Sequence, residues 1–158
     1  MRLPPGWLSD AEADCLAGLA RDKTVLELGA WLGRSTVVLA STAAHVVSVD
    51  WHKGDEDAGF GDTLPGYWDT IRNLDNVTMV VGRFEFVVPL FAPVFQLAFV
   101  DGCHAVDAVE RDARLALAVT RGTVVFHDYD QPAVQAAVTA VFGPPVRQVD
   151  TLAICETP

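Results

Sequence analysis

The stretch that decides the fold is residues 24–42, which read TVLELGAWLGRSTVVLAST. Thr24–Leu28 is a short apolar segment typical of a strand, and residues 29–33 (GAWLG) predict a tight glycine turn. Residues 35–42 (STVVLAST) then predict a helix that packs on the sheet. A strand, a tight turn and a helix in direct succession form the first half of a β–α–β unit.

The same alternation of strands and helices continues along the chain. Further strands are predicted at residues 45–50, 77–81, 95–100 and 123–127. Helices are predicted at residues 9–21, 65–74, 85–90, 104–119 and 131–141. Residues 51–63 contain three glycines and several acids, which predicts a loop. This alternation favours an α/β fold with one doubly wound, mostly parallel sheet and helices on both faces. A C-terminal antiparallel hairpin is predicted at residues 146–149 and 152–155.

Length and composition restrict the architecture and the partners. The chain has 158 residues, 51% of them hydrophobic, which suits one packed domain over residues 1–158. Its formal net charge of -10 disfavours nucleic acid and anionic membrane surfaces as partners. The sequence has no apolar run near the ~20 residues of a membrane span and no secretory signal at its start. The cytoplasm is therefore the predicted location.

Acids and histidines stand where the predicted strands end. Ligands of doubly wound sheets bind at the carboxyl ends of strands, near the point where the strand order reverses. The residues found there are Glu27, Leu28, Gly29, Asp50, Trp51, Gly82, Arg83, Asp101, Gly102, His127 and Asp128. Core packing does not explain the acids and histidines in this set, so this edge of the sheet is predicted to hold the functional site.

The turn after the first strand indicates the class of cofactor. A dinucleotide site needs G-x-G-x-x-G, because the middle glycine lets the backbone approach a pyrophosphate. Here Trp31 stands at that position, which argues against a nicotinamide-dependent oxidoreductase. A smaller anion such as a carboxylate fits the turn, with Ser35 as an added donor. Asp50 is placed to accept hydrogen bonds from ribose hydroxyls, and a carboxylate together with a ribose suggests S-adenosylmethionine.

Three segments resemble one known family. Residues 25–35 (VLELGAWLGRS) are similar to the first motif of class I S-adenosylmethionine-dependent methyltransferases, especially the catechol O-methyltransferase-like branch. Residues 99–104 (FVDGCH) and 125–129 (VFHDY) resemble a small bacterial group of that family, which carries F-I-D-G-x-H and F-H-D-Y. The resemblance extends from about residue 24 to residue 130.

The resemblance implies a cofactor site at the strand ends. The residues implied to contact S-adenosylmethionine are Glu27, Gly29, Ala30, Trp31, Gly33, Ser35, Asp50, Trp51, Arg83, Phe84 and Asp101. Glu27 and Gly29 would line the methionine part, and Ser35 would meet its carboxylate. The family often has a polar residue where Phe84 stands, which leaves recognition of the adenine to backbone groups or Glu85.

The resemblance also implies a metal site and catalytic groups. Asp101, His127 and Asp128 would hold Mg2+ or another divalent cation, and Asp101 would lie between this ion and the cofactor as a catalytic residue. His104 stands where the catechol-type enzymes have a lysine base, so we predict that His104 deprotonates an acceptor hydroxyl. A His104 that only flanks its helix is the alternative. Tyr129 departs from the asparagine of the catechol-type pattern.

The function implied is methylation of a hydroxyl group on a small molecule. The chain offers little beyond its core sheet for an acceptor pocket, so the missing walls would come from loops or from the partner in a homodimer. The same shortage of pocket-forming segments leaves a second hypothesis open. In that hypothesis the protein binds S-adenosylmethionine without turnover, or acts as an accessory subunit.

Overall fold

The computed structural model describes residues 3–55 and 59–158. Its strands are β1 (Thr24–Leu28), β2 (His45–Asp50), β3 (Gly54–Asp55), β4 (Gly59–Phe60), β5 (Val77–Val81), β6 (Phe95–Val100), β7 (Thr120–Phe126), β8 (Arg147–Val149) and β9 (Leu152–Glu156). Its helices are α1 (Asp10–Ala20), α2 (Arg34–Ala40), α3 (Leu64–Ile71), α4 (Phe84–Val87), α5 (Val106–Val119) and α6 (Pro132–Phe142), with a 3-10 turn at Val88–Leu90. None of the helices in these two ranges is both long enough and apolar enough to cross a membrane.

Seven of the strands form one sheet in the order β5-β2-β1-β6-β7-β9-β8. The first five strands in this order are parallel, and β9 runs antiparallel to both β7 and β8. The strand order reverses between β1 and β6, so the crevice above their carboxyl ends is the expected position of a ligand. The predicted α/β fold, with its mostly parallel sheet and C-terminal antiparallel hairpin, is confirmed.

Apolar side chains cover both faces of the central strands. Leu26 of β1 packs with Ala113 of α5 on one face, and the adjacent Val25 packs with Leu16 of α1 and Leu39 of α2 on the other. Neighbouring residues of a strand point to opposite faces. Burial on both faces explains why the parallel strands are almost continuously apolar.

Element boundaries differ from the prediction by up to three residues, and two of these differences are at the starts of α5 and β7. α5 begins at Val106 rather than at residue 104, because Ala105 has an extended backbone (φ -64°, ψ 135°) and ends the loop that follows β6. β7 begins at Thr120 rather than at residue 123, since Thr120 pairs with Phe95 beside an irregularity in the register. The first difference matters for function, because it leaves His104 on a loop at the strand end.

The segment predicted as a loop between β2 and α3 contains a short antiparallel pair of strands. In this pair Gly54 of β3 faces Phe60 of β4. Residues 56–58, which connect the two strands, lie outside the described residues. The glycine-rich composition that predicted a loop is equally compatible with such a small hairpin.

Candidate functional site

A cavity of about 760 Å³ opens at the carboxyl edge of the sheet. Its walls come from the segments that follow β1, β2, β5, β6 and β7, together with residues 6–8 and part of α5. Small-molecule sites usually occupy ~300–1,000 Å³ and favour this edge of open α/β sheets. The cavity therefore lies where the strand-end residues predicted a site.

The turn after β1 has a backbone conformation that its glycines allow. Gly29 has φ +94°, and a Cβ atom there would collide with the carbonyl oxygen of Asp101. Gly33 has φ +88°, and Trp31 itself has φ +45°. The missing Cβ at Gly29 lets the end of β6 approach the turn, so the two segments form adjoining parts of one wall.

Asp50 holds this turn in place from the end of β2. Its Oδ2 accepts hydrogen bonds from the backbone N–H groups of Ala30 (2.8 Å) and Trp31 (2.9 Å). Its Oδ1 accepts one from the backbone N–H of His52 (2.7 Å). The Asp50 side chain is 16% exposed and lines the cavity. It thus joins the two loops and presents a carboxylate to the cavity.

An N-terminal segment closes over the indole of Trp31. The rings of Trp7 and Trp31 lie 4.5 Å apart, centroid to centroid. The Arg34 guanidinium donates to the carbonyl oxygens of Leu8 and Pro4, each at 3.2 Å. These contacts make residues 6–8 part of the cavity wall.

Trp51 and Arg83 form another part of the wall. The Arg83 guanidinium carbon lies 4.5 Å from the centroid of the Trp51 ring, a cation–π contact. The Trp51 indole N–H also donates to the carbonyl oxygen of Gly54 (3.1 Å). Phe84 follows Arg83 and lies against Gly102, the residue after Asp101.

Glu27 lies behind the cavity wall rather than in it. The side chain is fully buried, and its carboxylate accepts hydrogen bonds of 2.6 Å from the hydroxyls of Ser35, Thr36 and Ser48. Burial raises the pKa of Glu27 to about 7, although the three hydroxyls oppose this shift. Glu27 is not among the residues that line the cavity, and its contact with a cofactor stays a prediction. Ser35 lines the cavity, but its hydroxyl already donates to Glu27.

Three further side chains converge at the ends of β6 and β7. One ligand atom from each of Asp101, His104 and Asp128 lies within 4.8 Å of the others. Nε2 of His104 is 2.9 Å from Oδ2 of Asp128. All three residues line the cavity. Two carboxylates and an imidazole are donors that bind divalent metal ions.

His127, which was predicted as a metal ligand, faces the two carboxylates of this group with one ring nitrogen. Its Nδ1 faces Oδ1 of Asp101 at 3.3 Å and Oδ2 of Asp128 at 3.0 Å, and its Nε2 faces Oε2 of Glu12 at 3.5 Å. Burial acts to lower the pKa of His127, but the hydrogen bonds and charges of Asp101 and Asp128 raise it to about 11. The geometric group of possible ligands contains His104 and does not contain His127. The metal role of His127 stays a prediction.

Glu12 is a residue of this region that the sequence analysis did not assign to the site. It stands three residues after Ser9, and the two residues form a capping box at the start of α1. The same carboxylate accepts hydrogen bonds from the backbone N–H (2.8 Å) and hydroxyl (2.7 Å) of Thr151. The contact with His127 joins residues far apart in sequence, and no local pattern indicates it.

Comparison with known proteins identifies the family. A family model described as a methyltransferase domain matches residues 26–129, about two thirds of the chain. This chain belongs to that methyltransferase family. The resemblance to class I methyltransferases predicted from the three sequence motifs is confirmed.

Solved structures of methyltransferases share the fold. A putative O-methyltransferase from Klebsiella pneumoniae is 18% identical, with 99% of this chain and 84% of that chain covered and a TM-score of 0.72. An O-methyltransferase from Bacillus cereus, solved with SAH, is 20% identical (85% and 69% covered, TM-score 0.64). The O-methyltransferase TomG from Streptomyces achromogenes, involved in tomaymycin synthesis and solved with SAM, is 21% identical (85% and 67%, TM-score 0.63).

Proposed function

We propose that this methyltransferase transfers the methyl group of S-adenosylmethionine to a hydroxyl of a small molecule, with a divalent cation bound at Asp101, His104 and Asp128. The observation that carries the proposal is that this group of three opens into the same cavity as the Gly29–Gly33 turn. The turn that would bind the cofactor and the three residues that would bind the cation are therefore adjacent. Transfer of a methyl group between two bound molecules requires such proximity.

The cavity has features that suit S-adenosylmethionine. Trp31 occupies the place where a dinucleotide would need a glycine, so a compact amino-acid head group fits the turn better than a pyrophosphate. Asp50 reaches the cavity with a carboxylate that would accept from ribose hydroxyls. Trp51 and Arg83 offer a flat, polarisable wall beside it, which suits an adenine ring.

The metal part of the proposal depends on the donor set. Asp101 and Asp128 would supply carboxylate oxygens and His104 would supply Nε2. A divalent cation, when bound, lowers the pKa of a hydroxyl that it contacts. His127 would orient the two aspartates, because its Nδ1 lies 3.3 Å from Oδ1 of Asp101 and 3.0 Å from Oδ2 of Asp128.

His104 has two roles that exclude each other at one nitrogen. If Nε2 binds a cation, it has no lone pair left for a proton. If no cation is bound, Nε2 is the group that would take the proton of an acceptor hydroxyl, and Asp128 at 2.9 Å would stabilise the imidazolium that forms. A chelator separates these roles, since only the first needs a metal.

The test combines binding and turnover. We expect calorimetry to show saturable binding of S-adenosylmethionine, and methyl transfer to at least one member of a panel of catechols and other small hydroxyl compounds. Asp128→Asn should reduce turnover by about 10- to 100-fold, because asparagine tolerates the backbone of Asp128 (φ +56°) but lacks its charge. Asp130→Asn removes the same charge from an exposed neighbour and is the matched control.

Three results would change the conclusion. Absence of S-adenosylmethionine binding would contradict the proposal as a whole. Binding without turnover on a broad panel would favour the second hypothesis, a cofactor-binding or accessory protein. Turnover that survives complete removal of divalent ions would exclude the metal and leave His104 as the base.

A further inference from the structure

One polar side chain at the cavity has no role in the function described so far. Asp112 lies on α5, is only 1% exposed, and lines the cavity together with Phe84, Glu85 and Gly102. None of these four residues is one of the proposed metal ligands.

The two oxygens of the Asp112 carboxylate have different surroundings. Nε and Nη2 of Arg111 each lie 3.0 Å from Oδ1. Over residues 3–55 and 59–158, no hydrogen-bond donor contacts Oδ2. Asp112 lines the cavity, so this oxygen can accept a hydrogen bond from a ligand that binds there.

Gly102 keeps the space beside this oxygen free. A Cβ atom on Gly102 would lie 3.3 Å from Oδ2 of Asp112 and 2.9 Å from the ring of Phe84. The absence of that Cβ leaves an aromatic surface and an unpaired acceptor next to each other. Such a pair suits a flat heterocycle that carries an N–H donor on its edge.

We propose that Oδ2 of Asp112 accepts a hydrogen bond from the exocyclic 6-amino group of the cofactor's adenine and thereby selects adenine over 6-oxo purines. The inference rests on the proposed function, which places S-adenosylmethionine in this cavity. It assigns the adenine to a carboxylate on α5, whereas the family resemblance left its recognition to backbone groups or Glu85.

The charge of Asp112 and a comparison with Glu85 support this assignment. Burial, with a smaller contribution from Glu85, raises the pKa of Asp112 to about 6, and Arg111 opposes that shift. At pH 8 the group is a carboxylate, which accepts hydrogen bonds and donates none. The alternative acceptor, Glu85, lies 3.5 Å from the Arg83 guanidinium. Asp112 is the more buried of the two, since its side chain is 2% exposed and that of Glu85 is 26% exposed.

The test is a comparison of two ligands that differ at one position of the purine. S-adenosylhomocysteine has a 6-amino group, and S-inosylhomocysteine has a 6-oxo group whose oxygen would face the Asp112 carboxylate without a proton between them. At pH 8 we expect the wild-type protein to bind the adenosyl compound at least about tenfold more tightly. Calorimetry measures both dissociation constants.

Asp112→Asn should remove or reverse this preference. Arg111 can only donate, so it fixes the amide oxygen of the asparagine at the Oδ1 position, and the amide NH2 then takes the place of Oδ2. That NH2 would donate to a 6-oxo group. Glu110→Gln removes a carboxylate from the exposed side of α5, where Glu110 pairs with Arg114, and should keep the wild-type ratio.

Glu85→Gln tests the inference even if Asp112→Asn does not fold. Retention of the preference in Glu85→Gln supports Asp112, and its loss there assigns the adenine to Glu85 and overturns the inference. A folded Asp112→Asn protein that keeps the wild-type ratio, or a wild-type protein without preference, also overturns it. Failure of the wild type to bind S-adenosylhomocysteine is a different result, because it contradicts the proposed function itself.

Discussion

Oε2 of Glu12, on α1, lies 3.5 Å from Nε2 of His127, at the end of β7. This contact connects the N-terminal helix to the group of side chains at the cavity. The same carboxylate caps α1 through Ser9 and binds both polar groups of Thr151 in the C-terminal hairpin. One acidic residue therefore joins three parts of the fold that are distant in sequence.

Glu12→Gln should destabilise the protein by about 1–3 kcal/mol, because an amide supplies one acceptor where the carboxylate supplies two and leaves buried donors unpaired. Urea unfolding at pH 7 measures the change in the free energy of unfolding. Asp10→Asn, on the exposed face of the same first helical turn, should cost less than about 0.5 kcal/mol. An equal loss in the free energy of unfolding in the two variants would show that the contacts of Glu12 do not stabilise the fold more than an exposed acid does.

Gly29→Ala should be strongly destabilising, by at least about 2 kcal/mol, since alanine disfavours φ +94° and its Cβ would collide with the carbonyl of Asp101. Gly18→Ala is the matched control. A Cβ there meets nothing within 4 Å, and alanine in the interior of α1 should add about 0.5–1 kcal/mol. Thermal unfolding should show a lower melting temperature than wild type for Gly29→Ala and a higher one for Gly18→Ala. A Gly29→Ala protein as stable as wild type would mean that the turn and β6 do not approach this closely.

Glu27 should make stability fall as pH rises from about 4.5 to about 7. Its pKa is about 7 in the folded protein and 4.5 in an ordinary solvated setting, so in this window the folded state binds more protons than the unfolded state. The contribution is fully present below pH 4.5 and is lost as pH rises through 7, by roughly 3 kcal/mol.

Glu27→Gln isolates this effect, because glutamine is neutral at all pH values and can still bond to the three hydroxyls. The free energy of unfolding of the variant relative to wild type should rise between pH 4.5 and pH 8. A difference between the two proteins that stays constant over that range would contradict a buried carboxyl with a raised pKa.

The sequence predicted the central strands well because their information is local. The apolar runs of β1, β2, β5 and β6 lie between turn residues, and their bounds agree with the structure. The position of the cavity followed from one topological rule, since all strand-end residues must meet at one edge. Family motifs then indicated which of them face a ligand.

Contacts between segments that are distant in the chain could not be predicted from the sequence. His52 lies in the segment predicted as a loop, yet it is 1% exposed, and its ring centroid lies 4.7 Å from that of Tyr67. The contact between Glu12 and His127 depends on how α1 packs against the end of β7, which no local pattern in the sequence indicates. Asp112 stands among other charged residues of α5, and its burial becomes visible only when α5 is placed against Gly102.

The most direct measurement of the central claim is a calorimetric titration of S-adenosylmethionine into wild-type protein and an Asp50→Asn variant. We expect saturable binding at one site per chain in the wild type, and at least about tenfold weaker binding in the variant, because a ribose diol would lose its charged acceptor. A wild-type protein that does not saturate, or a variant that binds as tightly as wild type, would contradict a cofactor site at this strand end.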